Sequence, residues 1–196
     1  QERILPVIEK AVALGVPVSV DTYHASTAAR ALEKGAVFIN DITALRGDPE
    51  MVRVIASFSA KCVLMHMQGN PKTMQVAPSY QDVVEDLCAF FDERLAFAVR
   101  NGIPEDQIWI DPGFGFGKTV QHNLTLLRRL GEFRRFGRPI LIGTSNKSTI
   151  GKVLDLPVHD RLEGTAATVA IAVWNGADAV RVHDVKAMKR VAKMCD

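Results

Sequence analysis

The chain has 196 residues and a mass of 21.5 kDa, 47% of it hydrophobic and 23% charged, with 24 basic residues against 22 acidic ones. That length suits one domain and that composition an ordinary globular protein, which excludes a disordered tail, a coiled coil and a collagen-like chain. A net charge of +2 supplies no field to draw the protein onto nucleic acid or a membrane surface.

The elements follow in chain order. A helical pattern over 2–14 opens the chain, followed by a strand over 17–21 (PVSVD) and a helix over 26–34. A strand over 37–42 (VFINDI), a helix over 48–58 and a strand over 62–67 (CVLMHM) come next. Then come a helix over 80–101, a strand over 107–111 (QIWID), a helix over 123–136 and a strand over 139–143 (PILIG). A helix over 160–175, a strand over 179–183 (AVRVH) and a helix over 185–194 complete the chain. Gly15, Gly35, Gly102, Gly137 and Gly176 each stand just past a helix, where a left-handed C-terminal cap belongs. Asn123 and Asp160 are candidate N-caps, and Pro49 suits a first helical turn.

Most strands are too continuously apolar to have a wet face, as in a parallel sheet covered on both sides. Regular β/α alternation gives a parallel sheet with right-handed crossovers, either an open doubly wound sheet or a (β/α)8 barrel. Polar groups end nearly every strand: Asp21, Asn40 and Asp41, His66 and Gln68, Asp111, Ser145 to Lys147, and Arg181 to Asp184. An open sheet leaves its outer strand ends idle, whereas a barrel points all of them at one mouth. The expected fold class is therefore α/β, an incomplete (β/α)8 TIM barrel with about six strand–helix units in a single domain over residues 1–196. A first residue of Gln1 rather than Met, opening straight into a helix, adds the expectation of a fragment. Six units and a leading helix are what remain when the first strand, first helix and second strand are taken from a barrel of about 250 residues.

Cys62, Cys88 and Cys195 are scattered, odd in number and without a CxxC spacing, so neither a disulfide framework nor a zinc knuckle is expected, and a reducing cytoplasm is. No apolar run approaches the roughly 20 residues of a membrane span, and the first residues lack a signal peptide's basic-then-apolar pattern.

The segment Asp111-Pro112-Gly113-Phe114-Gly115-Phe116-Gly117-Lys118-Thr119 invites two readings that fail by one residue each. A phosphate-binding P-loop needs glycine where Pro112 stands, and a dinucleotide fingerprint needs it where Lys118 stands. What is left is a strand ending in a carboxylate, then a glycine-alternating loop whose rings, Phe114 and Phe116, could cover a flat ligand or be partly buried in an ordinary loop. Asp21, Asn40 and Asp111 offer two carboxylates and an amide, acceptors for the several N–H donors on the edge of a pterin or guanine. The blander role for Asp21 or Asp41 is a cap or turn former. Met65 and Met67 could pack on an aromatic ligand or belong to the core. His66 is more often a buried, satisfied histidine than a ligand. Lys147, flanked by hydroxyls, and the pair Arg181 and His183 make a basic pocket suited to phosphate or pyrophosphate. The run Arg134-Arg135-Phe136-Gly137-Arg138 lies at a helix end and is explained by the helix dipole and solvation.

Taken together, SVDTYHAS, FINDITAL, LMHMQGNPKTMQ, DPGFGFGKTVQHNLTLL, GTSNKSTIGKVL, RLEGTAATVAIAVWNGA and AVRVHDV resemble the dihydropteroate synthases of the pterin-binding (β/α)8 family, in family order over nearly the whole chain. The resemblance implies a transferase of folate biosynthesis that condenses p-aminobenzoate with 6-hydroxymethyl-7,8-dihydropterin pyrophosphate to give dihydropteroate and pyrophosphate. It implies Mg2+, with its main ligand in an N-terminal part this chain lacks, and a homodimer, to which Trp174 and the apolar stretch 166–173 could contribute unless they simply face the barrel. It assigns Asp21, Asn40, Met65, Asp111 and Lys147 to the pterin, Arg181 and His183 to the pyrophosphate, and Phe116, Lys147 and Ser145 to the p-aminobenzoate pocket. Lys147, Arg181 and Asp111 would be the catalytic residues. The family's Ser-Arg-Lys reads Ser145-Asn146-Lys147 here, which bears on the carboxylate side of the p-aminobenzoate pocket. Without its first two strands the chain alone is expected to be inactive. Two alternatives are a pterin-binding methyltransferase acting on methyltetrahydrofolate and a corrinoid protein, and a catalytically idle pterin-binding barrel. Lys147, Arg181 and His183 argue against the methyltransferase, which has no use for a pyrophosphate pocket.

Overall fold

The structure, a computed structural model, describes residues 3–196. The chain forms two compact units, described separately: residues up to 66 with 91–110, and residues 67–90 with 111–196.

The first unit holds α1 (Leu5–Val12), β1 (Ser19–Asp21), α2 (Ala25–Glu33), β2 (Phe38–Asp41), α3 (Met51–Ser57), β3 (Lys61–Met65), the C-terminal half of α4 (Val83–Arg100) and most of β4 (Ile108–Asp111). The strands lie in the order β1-β2-β3-β4, and the first two pairings are parallel. β2 and β3 are buried along most of their length, as expected of strands covered on both faces. Ala28 and Ala31 of α2, Met51 and Ile55 of α3, and Phe91 and Ala98 of α4 are fully buried, as are Ile39, Cys62, Leu64, Ile108 and Ile110 of the sheet. Each large member of that set contributes roughly 1.5–3 kcal/mol through burial. Register fixes function as well as packing, because Ser19 stands beside Phe38, Val20 beside Ile39, and therefore Asp21 beside Asn40.

In the second unit β5 (Leu141–Ile142) and β6 (Ala179–Val180) pair in parallel, with Leu141 beside Ala179 and Ile142 beside Val180. Around them are α5 (Val120–Arg128), a 3-10 segment over Leu130–Phe136, α6 (Ser148–Leu154), α7 (Leu162–Trp174) and α8 (Val185–Cys195). All six expected strands form, each shorter than its apolar run, and the expected helices form within a few residues of their predicted ends, except the one over 123–136: α5 stops at Arg128, and Leu130–Phe136 is a separate 3-10 segment. The first predicted residue of the opening helix, Glu2, lies outside the described residues.

The five glycines expected to end helices all adopt positive φ, from +60° at Gly137 to +96° at Gly176. The two expected N-caps differ. Thr119 caps α5, accepting a bond from the His122 backbone N–H (3.1 Å) while the His122 ring accepts one from the Thr119 N–H (3.3 Å). Asn123 is buried inside that helix instead. The N-cap of α7 is Arg161, one residue past Asp160, with no side-chain cap bond. Pro49 precedes α3 rather than entering its first turn. The helix α6, seven residues long, is absent from the sequence-based reading. The three cysteines are free, and burial pushes the Cys62 thiol up to about 12, with the Asp41 charge adding to the effect. No helix of the described residues is long and apolar enough to cross a membrane.

Candidate active site

In the first unit the strand ends carry an acceptor pair. The Asn40 side-chain amide donates to Asp21 Oδ1 at 2.9 Å, which turns the Asn40 carbonyl oxygen away from that carboxylate. Asn40 is buried, and its Oδ1 has no hydrogen-bond partner. A buried amide oxygen without a donor is worth explaining, and a ligand N–H would satisfy it. Asp41, next along the chain, is wholly buried and occupied: Oδ1 accepts from the Thr43 backbone N–H (2.8 Å) and hydroxyl (2.7 Å), and Oδ2 from the Leu45 N–H (2.9 Å). Asp41 is thus the turn former, while Asp21 Oδ1 is held by the Asn40 amide. The turn it builds holds Ala44 and Leu45 at positive φ, +51° and +66°, and Arg94 of α4 donates its Nε–H to the Ala44 carbonyl at 2.9 Å. Sequence reasoning missed Arg94, whose role depends on packing across 50 residues. Met65, ending β3, is buried, and so is His66.

In the second unit the glycine loop after β4 is the centre of the site. Asp111 is buried, with Oδ1 accepting from the Gly113 N–H at 2.7 Å. Burial pushes its carboxyl up to about 6, while that bond and the charges of Arg181, Lys118 and Lys147 pull the other way. Lys118 is buried too and donates to the carbonyls of Gly113 (3.1 Å) and Phe116 (3.0 Å); burial draws its ammonium down to about 7, opposed by Asp111. From outside, the loop is held by Asn123, whose Oδ1 accepts from the Gly115 N–H (2.8 Å) and whose amide donates to Thr149 Oγ1 (2.9 Å). Gln75 donates to the Gly115 carbonyl and Tyr80 to that of Gly117, both at 2.7 Å. Gly117 must be glycine: at φ +61°, a β-carbon there would meet the Gln68 carbonyl oxygen at 2.7 Å. Phe114 is fully buried and belongs to the core, so of the two rings only Phe116 is available to a ligand.

Phe116 lies under Lys147, whose Nζ is 4.2 Å from the ring centroid, a cation–π contact. Burial lowers the Lys147 ammonium, with Arg181 acting in the same direction and Asp111 opposing. Gly143, Ser145, Lys147, Arg181, Val182 and His183 line one cavity of about 270 Å³. Ser145 Oγ and His183 Nδ1 are 2.8 Å apart, and the same hydroxyl accepts from the His183 backbone N–H at 3.2 Å. With the hydroxyl donating to Nδ1, a neutral His183 carries its proton on Nε2 and acts as a donor there. Asp184 caps α8, accepting from the Ala187 N–H at 2.9 Å. Thr144 and Thr149, two of the hydroxyls flanking Lys147, are buried and bonded to Thr168 and Asn123. Arg134, of the basic run, donates to the Gly176 carbonyl at 3.1 Å.

Of the expected site residues, then, the first unit pairs Asp21 with Asn40. The second gathers Ser145, Lys147, Arg181 and His183 around one cavity, sets Phe116 on Lys147 and brings Asp111 within electrostatic reach of Lys147 and Arg181.

The first unit thus presents hydrogen-bond acceptors at its strand ends, and the second a cavity lined by cations. The pterin binding enzymes match residues 1–183, and the chain belongs to that family. It is 44% identical to the dihydropteroate synthase of Synechocystis sp. (strain PCC 6803) over 197 aligned positions, covering all of this chain and 68% of that protein. Its fold matches the Yersinia pestis dihydropteroate synthase crystallised with a sulfonamide drug complex, with a TM-score of 0.94 at 39% identity over 99% of this chain and 71% of that one. It also matches the Thermus thermophilus enzyme in complex with 6HMPPP, with a TM-score of 0.93 at 42% identity over 99% of this chain and 77% of that one. The same enzyme in complex with 4-aminobenzoate matches with a TM-score of 0.92 at 42% identity, over 97% and 74%. The six strands and their helices are accordingly a partial (β/α)8 barrel. Sequence and structural likeness both point to dihydropteroate synthases and set the chain among the transferases. The chain spans about two thirds of the length of the curated relatives it matches.

Proposed function

We propose that the polypeptide to which this chain belongs is a dihydropteroate synthase, joining p-aminobenzoate to 6-hydroxymethyl-7,8-dihydropterin pyrophosphate. The observation that carries this reading is the cavity lined by Ser145, Lys147, Arg181 and His183, whose cations suit a pyrophosphate leaving group and serve no purpose in methyl transfer. The open Asn40 oxygen beside Asp21 supports a ligand rich in N–H donors. Relatives crystallised with 6HMPPP and with 4-aminobenzoate support the same pair of substrates.

In this reading the family resemblance assigns Asp21, Asn40 and Asp111 to the pterin's donor edge and Met65 and Lys147 to the same ligand. Arg181 and His183 hold the pyrophosphate, with Ser145 fixing the His183 ring. The arylamine nitrogen attacks the methylene carbon, the carbon–oxygen bond to pyrophosphate breaks, and the displaced amine proton passes to solvent. A free aniline is already a nucleophile, so no strong general base is needed. Orientation between Phe116 and Lys147 and charge neutralisation on the leaving group do the work.

Magnesium is part of the proposal through the family resemblance. Among the described residues there is no group of three or more His, Cys, Asp or Glu side chains that could bind a metal ion, and the resemblance places the main magnesium ligand outside them. We further take the chain as a single barrel domain whose first two strands lie outside it, in a cytoplasmic homodimer. Trp174, 80% exposed on α7, is the natural apolar contributor to such an interface.

The test is pyrophosphate release by the full-length protein from the dihydropterin substrate, with and without p-aminobenzoate and Mg2+. Release that requires both is expected. Pterin binding without release would replace this reading by the methyltransferase or the idle barrel, and a corrinoid methyl-transfer assay would choose between them.

A further inference from the structure

The chemistry above uses one lysine, yet a second lies deeper. Lys118 is 3% exposed, and its ammonium reaches the carbonyls of Gly113 and Phe116, two points of the same tight loop. The Phe116 N–H also donates to the Gly113 carbonyl, at 3.0 Å, so the loop closes on itself around the ammonium. Gly113, Gly115 and Gly117 stand at φ +71°, +83° and +61°, a path that turns carbonyls towards one another. Converging carbonyl oxygens repel, and the Asp111 carboxylate adds negative charge nearby. A buried cation with three N–H donors relieves both, which a neutral side chain with fewer donors does less well. The part of the loop so fixed carries the Phe116 ring, against which Lys147 lies, and a β-carbon on Gly115 would meet the Lys147 side chain at 3.2 Å.

We propose that Lys118 is a positioning residue: by drawing the Gly113 and Phe116 carbonyls together it holds the Phe116 ring against Lys147 and so forms the wall of the arylamine subsite before the ligand arrives. Naming that ligand rests on the proposed function; the positioning role does not. Lys118 touches no substrate in this scheme. Its loss therefore acts first on the partner that Phe116 orients; of the pterin's assigned acceptors it leaves Asp21 and Asn40 in place and takes from Asp111 one of three nearby positive charges, Arg181 and Lys147 remaining.

The experiment compares the full-length protein with Lys118→Met and Lys118→Gln in two measurements. In steady-state pyrophosphate release, K118M is expected to raise KM for 4-aminobenzoate by about 10-fold or more while KM for the pterin substrate stays within about threefold, with K118Q between K118M and wild type. In hydrogen–deuterium exchange, K118M is expected to speed exchange across 113–117 by about 10-fold or more, with α7 unchanged. A parallel rise in both KM values, or no rise in either, would overturn the proposal, and so would a loop whose exchange matches wild type. Should wild type release no pyrophosphate, the functional reading fails and the exchange measurement still decides the role of Lys118. If K118M does not fold, K118Q is read by the same two criteria.

Discussion

Asp111 carries its charge at a cost set by burial. Its carboxyl titrates near 6 in the folded protein against 3.8 as the reference value, so between those pH values the folded state binds the extra proton. Stability therefore falls as pH rises through that window, and above about pH 6 the ionised form costs the fold on the order of 3 kcal/mol. Lys118 has the opposite dependence. Its reference value is 10.5 and its folded value about 7, so its penalty is full below pH 7 and is relieved as pH rises towards 10.5. Near neutrality Asp111 is largely ionised and Lys118 is close to its midpoint, and the charge of each favours that of the other. Asp111→Asn keeps an oxygen for the Gly113 N–H and removes the charge. At pH 8 it should stabilise the full-length protein by about 1–3 kcal/mol, a gain that vanishes below about pH 4 where the wild-type carboxyl is protonated in both states. Pterin affinity should fall by about 10-fold or more, because an acceptor-only carboxylate becomes an amide that also donates. Thermal unfolding across pH together with calorimetric titration of the pterin checks both halves. Equal or lower stability at pH 8 would mean that the carboxylate is better compensated than its burial implies.

The elements show which features a sequence discloses. Six strands were legible because each is a short β-branched run with a polar group where the chain leaves the sheet, a signal that needs no partner to be read. Asp21 and Asn40 were legible for the same reason, and the register that joins them follows from aligning two such runs. The helix α6 was not, since Ser148–Leu154 is two turns long with Gly151 in its middle and gives the 3.6-residue period no room. The cap of α5 was misplaced because Thr119 closes its box with His122, where a glutamate or glutamine is the usual sign. Asn123 then does what no local pattern announces, tying the glycine loop to Thr149 across 26 residues. Gln75 and Tyr80 escape for the same reason: their partners are carbonyls about 40 residues away, brought close only by the fold. Lys118 escapes although its partners are two and five residues off, because a loop turning back on its own lysine leaves no periodic pattern. Within that loop Gly117 is the strictest position. Gly117→Ala would need both a left-handed alanine and a retreat of the Gln68 backbone, whose oxygen and nitrogen would lie 2.7 and 3.0 Å from the new carbon. A loss of about 2–4 kcal/mol in urea unfolding is expected, with KM for 4-aminobenzoate rising as Phe116 shifts. A variant as stable as wild type would show that the 66–69 segment yields, contrary to the bonds that the Gln68 side-chain amide makes with Ser79 through both its nitrogen and its oxygen.

At the scale of the whole molecule the question is what residues 1–196 do alone. The relatives they match are longer, this chain covering 68% and 66% of two of them, and β1 stands at the edge of its four-stranded order among the described residues. An edge strand offers unpaired N–H and C=O groups, a template for association that closed barrels remove by pairing every strand. Three residues, Ser19–Asp21, make β1 a short edge, yet Asp21 at its end is one of the groups assigned to the pterin. The full-length protein is expected to fill that edge, and with it to steady the Asp21–Asn40 pair. Residues 1–196 purified alone should therefore self-associate in sedimentation, bind a hydrophobic dye, and release no pyrophosphate, while the full-length protein stays soluble and active. The two halves of this prediction have different causes. Association follows from the edge and should weaken when Val20, buried between its neighbours in the strand, is flanked by an added charge such as Ser19→Lys. Inactivity follows from missing substrate contacts, and no surface substitution should repair it. A soluble, cooperatively unfolding 1–196 that binds the pterin with the affinity of the full-length protein would show that these six β/α units complete the pterin site without further strands.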